Sequence, residues 1–254
     1  MKMFSLSTKF SPEATNFEKA VFAGYSSAEL YTTPTRLMSW RSLSKIARSF
    51  ELNYALHFPT VGKILHQTAE DMACLARDLN CNIVVVHEEH LDVAREIKFM
   101  APEIQLAVEN HFIHFNDLGN WLRTCSAATL DIEHLWKFTL HDCELSALLP
   151  VVKQLLHEHG DKIKHIHLPG YLPGQAEHKP MYCSRDMVLG VFDILYAEDY
   201  EGMVVSELNV PFQNEFELKM DRLLFESWQA KQPVPACFTD TADNAFFSSE
   251  SQLY

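Results

Sequence analysis

The chain has 254 residues, with 21 Lys plus Arg against 34 Asp plus Glu for a formal charge of −13, and 47% of it is hydrophobic. That apolar share excludes a disordered chain, and the length suffices to bury a full core without disulfides or a structural metal. The acidic balance disfavours a basic nucleic-acid-binding surface, though not a local basic groove. No run reaches the ~20 apolar residues of a membrane span, and the opening MKMFSLSTKFSPEATNF lacks the apolar stretch of a signal peptide. The six cysteines form no CxxC pair, so isolated reduced thiols and a cytoplasmic location are expected.

Taken in chain order, short runs rich in apolar and β-branched residues predict strands at 2–7, 27–32, 52–58, 82–88, 105–111, 128–134, 163–168 and 203–209. Helix-length segments lie between them. Over 62–79 the residues Ile64, Leu65, Ala69, Met72, Ala73, Leu75, Ala76 and Leu79 make one stripe at helical spacing. Over 146–159 Leu148, Val151, Val152, Leu155 and Leu156 do the same, with Pro150 suited to a first turn and Gly160 as a stop. Over 213–230 the stripe is Phe216, Met220, Leu223, Leu224 and Trp228. Eight strands alternating with helical segments predict an α/β fold, a (β/α)8 TIM barrel, as a single domain over 1–230. A doubly wound open sheet would carry a glycine-rich turn after its first strand, and this chain has none. The polar segment 231–254 reads as a C-terminal tail, pinned by Phe246 and Phe247.

Chemistry in such a barrel sits at the C-terminal strand ends. Those ends carry His57, His87, Glu109, Asp131, His167 and Glu207 on strands three to eight, with His134 three residues after Asp131 and His178 in the loop after strand seven. The period of two puts Glu109 on a face with Ala107, Glu207 with Val205, and His167 with His165. So many ionisable groups in an apolar mouth are costly unless they pair or bind a cation. Imidazoles with carboxylates suit Zn²⁺ or Mn²⁺, and the carboxylate-rich subset also suits Mg²⁺; no organic cofactor is expected. His66, His157 and His159 fall on helices, where a solvated or capping role is the default. His90, His111, His114 and His141 fall in loops near the mouth or beyond it, and Glu88 and Glu89 read as solvated.

Together, LAVENH, ATLDIEHL, IKHIHLPG…EHKP and VVSELN resemble the xylose isomerase-like TIM barrels, a superfamily that includes sugar isomerases and epimerases and the endonuclease IV-type AP endonucleases. The resemblance covers about residues 1–230. In the epimerase-type members it implies one divalent metal held by Glu109, Asp131, His167 and Glu207. It further implies that the two glutamates move a proton between substrate carbons and that His134 contacts substrate. The endonuclease-type members hold three zinc ions with a longer ligand list. His57, His87 and His178 match additions on that list, and His134 matches the third-metal histidine. On that list His178 belongs to an Asp-x-His pair in the loop after strand seven, whose Asp falls at Ala176 here, with Glu177 one position on. Pro169 and Gly170 stand where relatives commonly carry an Asp after the strand-seven His.

Three readings follow. The leading one is a metal-dependent isomerase or epimerase of a small sugar, keto-sugar or polyol, working through a metal-stabilised enediolate. The second is an AP endonuclease or phosphodiesterase with two or three zinc ions. Against it stand loops with few basic residues: Arg36, Trp40 and Arg41 after strand two, and Lys63 after strand three. The third is a barrel with another metal-dependent reaction, or none, since one scaffold hosts many functions. The expected partner is a small carbohydrate-like molecule, with no membrane and with oligomeric assembly left open.

Overall fold

The computed structural model describes residues 3–233. The tail reading, with Phe246 and Phe247, lies outside the described residues beyond 233. The eight strands are β1 (Ser5–Phe10), β2 (Ser27–Tyr31), β3 (Asn53–His57), β4 (Ile83–His87), β5 (Gln105–Glu109), β6 (Ala127–Asp131), β7 (Ile163–His167) and β8 (Met203–Ser206). They close in chain order into one barrel, with β8 returning to β1 and every pair parallel. The expected (β/α)8 architecture is therefore the observed one.

Alternation along each strand separates two interiors. Leu6, Leu30, Leu56, Val84, Leu130 and Val204 face the helices and form the main apolar core. Ala55, Val85, Ala107 and Val205 are equally buried yet stand apart from it, on the barrel's inner face. Small side chains there leave room above them, and the next inward position on each strand is polar.

Several boundaries differ from expectation for definite reasons. The first strand runs Ser5–Phe10 rather than 2–7, because its pairing with β8 begins at Ser5 opposite Met203. The helix expected over 62–79 is His66–Asp78. Gly62 has φ +90° and Leu65 is extended, and the Leu65 N–H donates to Thr68 Oγ1 at 3.1 Å, so Ile64 and Leu65 precede the helix. The next interval carries no long helix, only single turns at Leu91–Ala94 and Ile97–Met100. The Leu145–His159 helix starts early enough that Pro150 lies inside it, past the first turn. His66 and His157 are exposed partners of Glu96 and Glu198, whereas His159 is buried at its helix end rather than solvated. The five described cysteines are all free. Among the described residues no helix is long and apolar enough to cross a membrane.

The last helix, Glu215–Gln229, buries Leu218, Asp221, Phe225 and Trp228, while Phe216 and Leu223 are exposed. The buried face thus includes a carboxylate. Asp221 accepts from the Met181 N–H at 2.8 Å and from the Ser206 hydroxyl at 2.5 Å. Burial raises its pKa from 3.8 to about 7 against the pull of those two donors. A folded-state pKa above the unfolded one means that the native chain binds the extra proton. The associated stability is complete below pH ~4 and is lost as pH rises through 7, a loss of about 4 kcal/mol in the limit. Asp221→Asn keeps an acceptor for Met181 and offers its amide to Ser206. Its urea midpoint should therefore vary less between pH 4 and 8 than that of the parent; parallel pH profiles for the two chains would refute this account.

Candidate metal centre

Four ligand-type groups converge inside the upper barrel. Glu109, Asp131, His167 and Glu207 each present an atom within 4.8 Å of the others, and so do His57, His87 and Glu109. His134, Glu177 and His178 form a further group, and Glu29, His165 and His167 another. Every residue expected at the strand ends is in one of these groups.

The local folding that aims them is readable residue by residue. Asp131 ends β6 and caps the turn that follows, its Oδ1 accepting from the His134 N–H at 2.7 Å. This explains the D-x-x-H spacing: one carboxylate oxygen fixes the turn, and the other is left to face the barrel axis. Asn110 locks the same strand end, donating to the Asp131 carbonyl at 3.0 Å and accepting its N–H at 2.7 Å. His134 Nδ1 donates to the Asn110 carbonyl at 3.0 Å, which leaves Nε2 as its free lone pair. The loop after β7 is tied back by Gly170, whose N–H donates to the Lys179 carbonyl and whose carbonyl accepts the Lys179 N–H. A Cβ at Gly170 would lie 1.9 Å from the Pro180 carbonyl oxygen, so no larger residue fits there. His178, at φ 57°, is further held where Glu133 accepts its N–H at 2.9 Å.

The two oxygens of Glu109 look to different groups. Oε2 lies 3.2 Å from both His57 Nε2 and His87 Nε2, whereas Oε1 lies 3.4 Å from both His134 Nδ1 and His167 Nδ1. His57 Nδ1 donates to the Phe58 carbonyl at 2.8 Å. Burial, with Lys9 nearby, lowers the His57 pKa despite its carboxylate neighbours. A neutral His57 therefore turns a bare lone pair toward a carboxylate.

Whether these residues suit a cation can be tested on their unsatisfied atoms. Asp131 Oδ2, His167 Nδ1 and Glu207 Oε2 are buried without a hydrogen-bond partner. His167 Nδ1 and Glu207 Oε2 approach to 2.9 Å without the alignment of a hydrogen bond. Buried polar atoms are nearly always paired, and three orphans aimed into one space fit a divalent ion. Burial works against the charge on Glu109 and Glu207. His167 prevails at Glu109, and Lys9 with His167 prevails at Glu207, so both carboxyls are held well below the usual carboxylate range. Burial likewise opposes protonation of His178, but Glu207, Glu133 and Asp131 carry it up to about 9.

Sequence reasoning missed Lys9 and Glu29. The Lys9 Nζ donates to Glu207 Oε1 at 2.6 Å and lies 3.3 Å from Glu29 Oε1. Glu29 is fully buried opposite Lys9 in the β1–β2 register. With these two, all eight strands send a polar group into the site. Of the loop histidines, His111 stands at the mouth, its ring centroid 3.8 Å from that of Phe112, 4.7 Å from His134 and 5.7 Å from His87. Phe138 completes this aromatic wall 4.5 Å from Phe112, and Phe112 is 71% exposed. Glu177 does approach His134 and His178, but it is also bound to Lys137. Glu89, expected to be merely solvated, lies 3.5 Å from His87 Nδ1.

No family model and no curated protein matches the chain. Solved structures do. A D-tagatose 3-epimerase-like protein aligns at TM-score 0.59 and 15% identity, over 89% of this chain and 97% of that one. A D-allulose 3-epimerase from Methylomonas sp., in complex with D-allulose, aligns at TM-score 0.58 and 12% identity, over 91% and 98%. A phosphoribosylanthranilate isomerase from Thermotoga maritima aligns at TM-score 0.51 and 13% identity, over 88% and 99%. At these identities the likeness is one of fold, and that fold is the closed parallel (β/α)8 barrel.

Proposed function

We propose that this barrel is a divalent-metal-dependent isomerase or epimerase of a small sugar, keto-sugar or polyol. The observation that carries the proposal is the convergence of Glu109, Asp131, His167 and Glu207, with three orphaned buried atoms, beneath an aromatic mouth. The mixed imidazole and carboxylate donors favour Zn²⁺ or Mn²⁺, with Mg²⁺ also suited. When bound, such an ion supplies Lewis acidity toward a substrate carbonyl and its adjacent hydroxyl.

The chain's own residues divide the remaining work. Glu207 is the most open of the four, its side chain 15% exposed against 2% for Glu109. It is the group placed to take a proton from substrate carbon and return it, and Lys9 keeps it ionised for that purpose. Glu109, with both oxygens faced by imidazoles, has less freedom to exchange protons and serves chiefly as a ligand. The resemblance implies a proton-moving role for both glutamates; this geometry favours Glu207. His134 offers Nε2 to substrate, and Phe112, Phe138 and His111 offer ring faces to its carbon skeleton. Lys137 is engaged by Glu177 and Arg36 by Glu13, and Arg41 lies over the Trp40 ring at 4.4 Å. That lining suits an uncharged polyol better than a phosphodiester.

The test is incubation of metal-loaded protein with a panel of aldoses, ketoses and polyols in D₂O. Deuterium should enter the carbon next to the carbonyl of one panel member, read by NMR. A metal-loaded chain that labels no member overturns the proposal.

One observation favours phosphoester hydrolysis as a second reading. Glu109 turns separate oxygens to separate ligand groups, as a carboxylate bridging two cations would. Elemental analysis separates the readings in part, since one ion per chain favours the isomerase, and two or three favour the phosphoester enzyme. Cleavage of an abasic-site duplex at low salt with Zn²⁺ present would decide for the second.

A further inference from the structure

The two ring nitrogens of His167 face different surroundings. Nδ1 looks onto the ligand oxygens, 3.4 Å from Glu109, 3.6 Å from Asp131 and 2.9 Å from Glu207. Nε2 lies 3.0 Å from Glu29 Oε2. Glu29 has no exposure, and it sits where an ordinary barrel interior would carry a branched apolar residue. A sealed carboxylate costs several kcal/mol unless its neighbours compensate. Here they do: the Lys9 ammonium lies 3.3 Å away, and His165 Nε2 lies 2.6 Å from the same Oε2. His165 Nδ1 has no partner, which fits a neutral ring donating through Nε2.

We infer that Glu29 is a positioning residue for the metal centre: it accepts the Nε2–H of His167, so that the imidazole turns its Nδ1 lone pair to the ion. A histidine ligand is typically held this way by a carboxylate or carbonyl on its other nitrogen. The same carboxylate meets Lys9, and Lys9 grips Glu207 through Oε1 while Oε2 faces the ion space. Two of the four ligands are thus steadied from behind by one buried pair, Lys9 and Glu29, contributed by β1 and β2, neither of which carries a ligand of the four. The inference rests on the cation reading of the four-residue group and not on the reaction assigned to it.

The experiment loads the full chain with cadmium-113 and reads its scalar coupling to ¹⁵N-labelled histidines. In the parent, His167 should couple through Nδ1 and keep its proton on Nε2. In Glu29→Gln, cadmium and zinc affinity measured by chelator competition should fall 10- to 100-fold, with a cooperative thermal transition retained. Glu29→Asp, which keeps the charge with shorter reach, should recover part of that loss. Coupling through Nε2 in the parent overturns the inference, a measurement that needs no variant to fold. So does an unchanged affinity in Glu29→Gln. A parent that takes up no cadmium overturns both the inference and the metal-centre reading. Nδ1 coordination without any turnover of sugars supports the inference and counts against the isomerase alone.

Discussion

Glu109→Gln should strip the protein of most of its bound metal and lower kcat/KM at least 10³-fold. Glutamine matches glutamate in volume, so the packing around position 109 survives. What changes is that one oxygen becomes an NH₂ donor and the charge disappears. Whichever way the amide turns, it is wrong for one neighbouring group. Oriented one way, it presents N–H toward His57 and His87, and oriented the other, toward His134 and His167. Because both ligand groups draw on this one side chain, both should weaken together. Elemental analysis after dialysis and a zinc titration check the first half, and activity at saturating metal checks the second. Circular dichroism establishes that the variant is folded. A folded variant with the parent's metal content and more than a tenth of its activity would show that Glu109 is neither a shared ligand nor a needed one.

Much of this centre is legible in the linear chain, and the reasons for the gaps are physical. Glu109, Asp131 and His167 end β5, β6 and β7, and Glu207 directly follows β8; short, buried parallel strands alternate cleanly, so a charged residue at the next inward position stands out against apolar neighbours. The Asp131–His134 spacing is legible for a local reason, a capped turn whose geometry needs no tertiary contact. Lys9 is not legible, because β1 reads SLSTKF, in which Ser and Thr blur the alternation and the strand's end is set by pairing with β8. Glu29 is hidden differently. In SAELY the inward face is Ser27, Glu29 and Tyr31, a pattern that also describes a solvated strand face. Only closure of the barrel, which puts His165 and His167 across from it, makes that carboxylate interior. The last helix shows the same limit in reverse. Asp221 occupies a core position, so the apolar count drifts onto Phe216 and Leu223, which the fold leaves exposed.

Glu207→Gln should behave unlike Glu109→Gln, and the contrast separates ligation from proton transfer. Glu207 belongs to only one of the ligand groups with a possible shared ion, and Glu109, Asp131 and His167 remain in place without it. The Gln oxygen can still accept from Lys9 as Oε1 does now. Metal affinity should therefore fall at least as far as in Glu29→Gln, by about 100-fold, yet three of the four donors stay and saturating metal can still fill the site. The chemical step should fall much further, about 10³-fold in kcat with KM little changed, because an amide cannot take a proton from carbon at neutral pH. Measured at saturating metal, deuterium exchange into substrate should vanish while substrate still protects the variant against thermal unfolding. Loss of binding and turnover in equal proportion would reduce Glu207 to a ligand. Retention of kcat within tenfold of the parent would remove it from proton transfer altogether, and would pass that role to Glu109 or to the phosphoester reading in which neither carboxylate needs it.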